Sequence, residues 1–469
     1  MLVMNSGVSR RVFLSGVAGA AALPVLAAPP PRPTPFGAIP SPRQWMWHQL
    51  QTTAFLHFTI NTFTDKEWGY GDEDPNLFQP VHFDADAIVE ALAVANMHGV
   101  ILTCKHHDGF CLWPTKTTER SVRSSSWRNG QGDIVRDIAA AAKRRNMKFG
   151  VYLSPWDRST AAYGTGAYVA MYRQQLTELL TDYGPIFEVW HDGANGGDGY
   201  YGGAREKRTI DKRTYYDWPN TWELVRKLQA EAVIFSDVGP DVRWVGNERG
   251  IAGDPCWATY DPVGEDGGPA SPGDVRSKDS PTGTKHGTKW LPPECDVSIR
   301  PGWFWHPQET PRVKTPTQLS NLFYLSVGRG ANLLLNVPPN RDGLIDAADA
   351  ASLKAYGEYL RQTFDKPVAQ ASPRDLMKDE IVLDLPSETT FDVVKIRENI
   401  HFGQRIEAVS VEMMDGDAWK LVTGATSIGA RRIIRLPAPV SSNKVRLLVT
   451  QSAAPPMVSE FSLFRQAPL

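Results

Sequence analysis

From about residue 50 to residue 365 the chain repeats one unit, a short apolar run followed by an amphipathic stretch, and this repetition is the tightest constraint on its fold. The runs Ala54–Ile60, Gly99–Cys104, Lys148–Leu153, Ile186–Trp190, Ala232–Ser236 and Ala331–Val337 read as strands. Between them Asp84–Asn96, Asp133–Arg145, Tyr168–Tyr183 and Asn220–Gln229 read as helices. In the second of these, Ile134, Ile138, Ala141 and Ala142 fall on one face and Arg136, Lys143 and Arg144 elsewhere. Repeated strand–helix units imply a parallel sheet, and their number predicts a TIM-like (β/α)8 barrel over residues 43–365. An open doubly wound sheet is the alternative. No G-x-G-x-x-G follows the first strand, which argues against its dinucleotide-binding form.

The ends have a different texture. After Asp365-Lys366-Pro367, alternating runs such as Val393-Val394-Lys395-Ile396 and Lys444–Val449 are separated by Gly, Asp, Ser and Pro, which predicts a β-sandwich over 366–469. At the other end, Ser9-Arg10-Arg11-Val12-Phe13-Leu14 and the apolar run Leu14–Leu26 read as a twin-arginine-type signal peptide over residues 1–28, with delivery to the periplasm or beyond. Residues 29–42 read as a Pro-rich linker outside any packed core. No later stretch is long and apolar enough to span a membrane. Lys and Arg total 50 against 52 Asp and Glu, so no basic excess is available for a phosphate backbone and nucleic acid is not an expected partner. The four cysteines form no CxxC pair, so a structural zinc site has no support, and Cys104 reads as a buried small residue.

Polar and aromatic residues gather just after the expected strands: His57 with Asn61, Lys105-His106-His107-Asp108, Tyr152 to Asp157, and His191-Asp192. That end of a parallel barrel is where loops converge on a site. Aromatic faces suit sugar rings, and the chain has 15 Trp. Asp192 follows a buried strand and precedes Gly193, so it is either a carboxylate aimed into the barrel mouth or a turn cap. Glu248, in Val245-Gly246-Asn247-Glu248-Arg249-Gly250, is either a general acid on a mobile loop or half of a surface ion pair with Arg249. The pair His106-His107 suggests a metal, but successive strand residues point to opposite faces and zinc-like ligand spacing is missing. Hydrogen bonding to a polyol explains the pair better, so no metal and no cofactor are expected.

The segments Leu56-His57-Phe58, Glu67-Trp68-Gly69, Lys105–Phe110, Gly150–Asp157, Glu188–Ala194 and Asn332–Pro339 together resemble the α-L-fucosidases of glycoside hydrolase family 29, in order over residues 45 to 365. Trp244-Val245-Gly246-Asn247-Glu248 is similar to the branch of that family that prefers α-1,3 and α-1,4 linkages on branched glycans. Gly403-Gln404-Arg405, Trp419 and Ser427-Ile428-Gly429 resemble the galactose-binding-like sandwich appended to such barrels. The resemblance implies a retaining α-L-fucosidase acting on a fucosylated oligosaccharide or glycoconjugate through a covalent fucosyl-enzyme. It implies Asp192 as nucleophile and Glu248 as acid/base. His57, His106, His107 and Tyr152 would hold the fucose hydroxyls, and Glu67, Trp68 and Trp190 would complete the pocket. His191 stands where the family often has Phe. In Pro301-Gly302-Trp303-Phe304-Trp305-His306, Trp303 and Trp305 are expected either on the leaving-group side of the mouth or in the core. Two other readings are a non-catalytic fucose-binding, lectin-like protein and a metal-dependent hydrolase using His106, His107 and Asp108.

Overall fold

The computed structural model describes residues 33–373, 376 and 378–469. The twin-arginine motif, the expected signal peptide at 1–28 and the first residues of the expected linker therefore lie outside the described residues.

Eight parallel strands close into a barrel, each beside its sequence neighbour: β1 (Thr52–Leu56), β2 (Gly99–Lys105), β3 (Lys148–Leu153), β4 (Glu188–Trp190), β5 (Val233–Ser236), β6 (Val242–Trp244), β7 (Pro293–Ser298) and β8 (Asn332–Asn336). β8 closes on β1, with Thr52 opposite Leu333. Every residue of β1, β2 and β8 is buried, because one face of each strand meets the barrel interior and the other meets helices. The helices are α1 (Pro42–Leu50), α2 (Ala85–Val94), α3 (Ile134–Arg144), α4 (Gly166–Asp182), α5 (Trp218–Leu228), α6 (Pro316–Leu325) and α7 (Ala347–Phe364). Asp84 and Asp133 start α2 and α3 by accepting the Ala87 and Arg136 amides, which are otherwise unpaired in a first helical turn. α1 begins with a capping box between Ser41 and Gln44. It sends Trp47 into the barrel interior, where it joins Phe55, Ile101, Trp190 and Phe235 in one apolar cluster.

Two strands escape a reading based on apolar runs. β6 is three residues long and contains Arg243, which is fully buried and donates to the carbonyls of Ser280, Trp257 and Leu291. β7 carries Glu294 and Asp296, both buried, so its composition looks like a loop. β5 passes to β6 through the tight turn Asp237–Asp241, and residues 245–292 between β6 and β7 contain no α-helix, so two of the eight strand–helix units lack their helix.

The segment expected to be a free linker is packed from Pro35 onward. The Phe36 amide donates to the Phe402 carbonyl at 2.9 Å, the Phe36 ring meets His286 edge-on at 5.3 Å, and Ala38 packs beside Trp290 and Ile400. An aromatic in a Pro-rich run removes apolar area from water only by docking, and here it docks on the C-terminal region.

That region is a six-stranded antiparallel sheet of β9 (Ala369–Gln370), β10 (Glu380–Glu398), β11 (Ile406–Asp415), β12 (Ala418–Ala425), β13 (Arg432–Ser452) and β14 (Val458–Phe464), in the order β9-β14-β10-β13-β11-β12. The register of β10 against β13 breaks between Asp384 and Thr389, and the halves on either side of the break share one core. Ile381, Leu447 and Val411 from one half meet Val394, Phe461 and Leu463 from the other, which makes the fold a sandwich. Gln404 bonds to the Cys256 carbonyl and the Ala258 amide, and Arg431 bonds to Ala331 and Asn332 at the start of β8. Residues 35–469 accordingly form one compact unit.

Candidate active site

The carboxyl ends of the strands open into a cavity of about 380 Å³ lined by Asp192 and Glu248 and, among the expected sugar contacts, by His57, Trp68, His106, His107, Tyr152 and Trp190. Barrel topology thus joins residues from six separate sequence blocks at one rim.

Asp192 lies two residues past the end of β4. Its Oδ2 accepts the Tyr152 hydroxyl at 2.8 Å and its Oδ1 accepts the Ala194 amide at 2.7 Å, so the carboxylate is fixed in orientation. The second bond is also the turn cap considered from sequence, and the two roles coexist. Burial raises its proton affinity, while the two donors favour the ionised form. Glu248, just beyond β6, is exposed at the rim and meets only the Trp303 indole N–H, at a long 3.4 Å. No ion pair joins it to Arg249 among the described residues. Desolvation raises its proton affinity, and the negative charges of Asp192 and Glu67 add to that. The two donors at Asp192 and the neighbouring negative charge at Glu248 bias the pair toward a proton on Glu248. Its loop is pinned rather than free: Asn247 accepts the amides of Arg249 and Ile251 and donates to the Ile251 carbonyl at 2.9 Å.

The histidines are held as neutral hydrogen-bonding groups. The His57 amide and ring Nδ1 both contact Asn336 Oδ1, at 3.2 and 2.9 Å, which puts the ring proton on Nδ1 and leaves Nε2 as an acceptor. Ser154 Oγ donates to the Trp156 carbonyl at 2.6 Å, so it accepts from His107 Nδ1 at 2.7 Å. His107 Nε2 then stands 3.8 Å from Asp192 Oδ2, and a hydroxyl placed between them can donate to either. Burial lowers both His57 and His107 to about 3. The His106 and His107 rings lie 4.0 Å apart in the same cavity, because β2 ends at Lys105 and strand alternation no longer applies. His106 Nδ1 is buried and has no hydrogen-bond partner among the described residues. Among the described residues, no three His, Cys, Asp or Glu side chains are grouped so as to hold a metal ion.

Trp190 is clamped from two sides. Its face stacks on Phe235 at 4.0 Å and its indole N–H donates to Glu294 at 3.0 Å. Beneath it Trp47 donates to Glu188 at 3.0 Å. Burial raises the proton affinity of both Glu188 and Glu294, and the charge of Glu294 adds to the rise at Glu188. His191 points away from the cavity into a buried site, with Nδ1 2.8 Å from the Tyr172 hydroxyl and its ring against Trp218. A polar ring thus fills the space behind the carboxylate without reaching it.

Two expected contacts belong elsewhere. Glu67 does not line the cavity. It accepts the amides of Trp303 and Phe304 at 2.8 and 3.2 Å and bonds to His306 at 2.7 Å, so it positions the Trp303 loop. Trp305 does not line it either: its indole donates to Asp346 at 3.1 Å, and its ring lies near the guanidinium groups of Arg300 and Arg341. Trp303, two residues earlier, is the one at the mouth. Trp68 is 55% exposed and stands edge-on to His107 and Trp156 at the rim. Phe55, Phe235, Asp237, Trp244, Glu265 and Asp296 line the cavity as well and were not anticipated. Asp237 carried a usable signal, since it follows β5 as Asp192 follows β4. Asp296 and Glu265 lie in stretches whose sequence shows neither strand nor motif.

The arrangement offers a carboxyl anchored by two donors, a second carboxyl at the rim whose proton affinity is raised, neutral imidazole acceptors and an aromatic wall. These are the groups needed to cleave a glycosidic bond. Residues 35–364 match the family model described as alpha-L-fucosidase. The chain is 40% identical to Alpha-L-fucosidase 1 of Arabidopsis thaliana, over 92% of this chain and 89% of that protein. A crystal structure of a glycoside hydrolase 29 family member from an unknown rumen bacterium superposes with a TM-score of 0.86 at 40% identity, covering 93% of this chain and 78% of that one. A Ruminococcus gnavus glycoside hydrolase 29 fucosidase in complex with fucose superposes at 0.82 with 30% identity, covering 94% and 97%.

Proposed function

The chain belongs to the α-L-fucosidases of glycoside hydrolase family 29, and from that premise we propose that it hydrolyses α-1,3- and α-1,4-linked fucose from branched glycans with retention of configuration. The observation that carries the reading is the unequal treatment of two carboxyls lining one cavity. Asp192 is held by two donors that favour its charge, while at Glu248 desolvation and the negative charges of Asp192 and Glu67 favour the proton against a single long donor from Trp303. A retaining hydrolase needs that asymmetry, one group to attack and one to protonate the leaving oxygen.

In this reading fucose sits with its hydroxyls toward His57, His106 and His107 and its methyl group toward the aromatic wall of Phe55, Trp190 and Phe235. Asp192 attacks the anomeric carbon as Glu248 gives its proton to the departing oxygen. Glu248 then deprotonates the water that releases β-linked fucose from Asp192. Tyr152 orients the attacking carboxylate. Trp244 and Trp303 border Glu248 and offer aromatic surface to the leaving sugar, which favours a branched substrate. The twin-arginine-like start of the sequence supports action on glycans outside the cytoplasm.

Fucose release tests this reading. Branched α-1,3/1,4-fucosylated oligosaccharides should exceed a simple aryl fucoside in kcat/KM, by roughly tenfold if one aromatic contact is made only to the leaving sugar. Equal or reversed preference would remove the linkage assignment and leave the fucosidase assignment in place. A protein that binds fucose and releases none would restore the lectin-like reading.

A further inference from the structure

We propose that the outer half of the cavity is a leaving-group subsite for an uncharged sugar, and that its carboxylates exclude glycans carrying a sulfate, phosphate or carboxylate on the sugar that bears the fucose. This inference rests on the hydrolase reading above and adds the class of leaving group.

The cavity is lined by five carboxyl groups, Asp192, Asp237, Glu248, Glu265 and Asp296, and by no Lys or Arg among its described lining residues. Hydrolysis uses two of the five. Asp237 is built into the site: a Cβ at Gly193 would lie 2.5 Å from its Oδ2, so it packs on the turn that carries Asp192, and that oxygen accepts the Gly273 amide at 2.9 Å. Asp237 thereby ties the Asp192 turn to the loop 263–277, which supplies Glu265, Gly273, Val275 and Ser277 to the cavity wall. The loop is held in place from outside the cavity. Arg213 pairs with Asp266 at 2.7 Å and with Asp274 at 2.5 Å, and Lys212 donates to the Gly273 carbonyl at 2.8 Å. These cations are engaged by the loop itself, and neither lines the cavity.

Such a wall suits one chemistry. Sugar hydroxyls donate to carboxylates, and an uncharged sugar brings several. A sulfate or carboxylate brings only acceptors and a like charge toward Asp192 and the exposed Glu265, a repulsion that added salt screens. Burial pushes Asp237 up to about 6, with the charge of Asp192 adding to the effect, as expected where negative charge is already crowded.

The test compares kcat/KM for three fucosylated trisaccharides that differ at one position of the fucose-bearing sugar: a free hydroxyl, an O-acetyl group of added bulk without charge, and a sulfate ester. An aryl fucoside is run alongside. Wild type should favour the hydroxyl substrate over the sulfate by roughly tenfold or more, and the acetyl substrate should fall much less. The sulfate penalty should shrink in Glu265→Gln, shrink further in Glu265→Lys, and shrink in wild type as salt is added. Because each variant is judged by a ratio of its own rates, a general loss of folded protein cancels. A sulfate penalty no larger than the acetyl penalty, or one unmoved by Glu265→Lys, would overturn the inference while aryl fucoside release kept the hydrolase reading intact. Release from none of the four substrates would overturn both.

Discussion

Asp192→Gly is expected to lose roughly 10³-fold or more in kcat on every fucoside while remaining folded. The fold should survive because, among the described residues, the carboxylate's hydrogen-bond donors are the Tyr152 hydroxyl and the Ala194 amide at the cavity wall, and water in the vacated space can take up both. Chemistry should not survive, because a water on that face would lack a base to activate it. Tyr152 is a donor there, and burial raises its hydroxyl well above the usual phenol range. Azide needs no base and fits the space left by a side chain. It should restore turnover and yield β-fucosyl azide, identified by NMR. A variant that turns over like wild type would remove Asp192 from the mechanism.

Glu248→Ala should separate substrates by leaving group. A sugar alcohol must be protonated as it departs, so natural-type substrates should slow by roughly 10²–10⁴-fold. An aryl group of low pKa leaves unaided, so its first step should persist while hydrolysis of the intermediate stalls for want of a base. The expected signature is a burst, a low apparent KM, and rescue by azide to the α-fucosyl azide, the opposite anomer from the Asp192 rescue. The pH profile follows from the same assignments. Activity rises with pH as Asp192 loses its proton and falls as Glu248 loses its own. Burial raises both groups, so both limbs should lie on the alkaline side of ordinary Asp and Glu values. For burst formation from the aryl substrate, Glu248→Ala should lose the alkaline limb and keep the acid one. Uniform loss on all substrates with no azide effect would make Glu248 structural. Glu67 is engaged by the Trp303 loop, Asp108 by Thr59 and the Phe110 amide, and Asp254 by Arg432, so a replacement acid would be sought among the cavity-lining Asp237, Glu265 and Asp296.

The barrel was legible wherever strands announce themselves by unbroken apolar runs. Lys148–Leu153 is a strand over the expected residues, and the expected helices after β1 to β4 lie within two residues of their observed limits at either end. β6 and β7 were hidden because a barrel interior tolerates Arg243, Glu294 and Asp296 once each finds a partner, and such residues read as loop. The sandwich was visible from alternation, whereas the packing of Phe36 on Phe402 was not, since composition alone cannot show where a Pro-rich run docks. The Asp192, His57, His107 and Tyr152 positions were legible because each sits just past or at the end of a recognisable strand. Trp303 and Trp305 show the limit of that reasoning. They are two residues apart in an irregular loop, and only the clamp of Glu67 on the Trp303 and Phe304 amides decides which indole reaches the mouth.

Asp192 is expected to become covalently bonded to fucose during turnover. Incubation with a 2-deoxy-2-fluoro-fucosyl fluoride, which forms the intermediate readily and releases it slowly, followed by proteolysis and mass spectrometry, addresses it directly. One added fluorofucosyl group per chain is expected, on the peptide containing Val189-Trp190-His191-Asp192-Gly193, with fragmentation placing it on Asp192. A label on Glu248, Asp237 or any other carboxylate, or turnover of the reagent with no label at all, would contradict it.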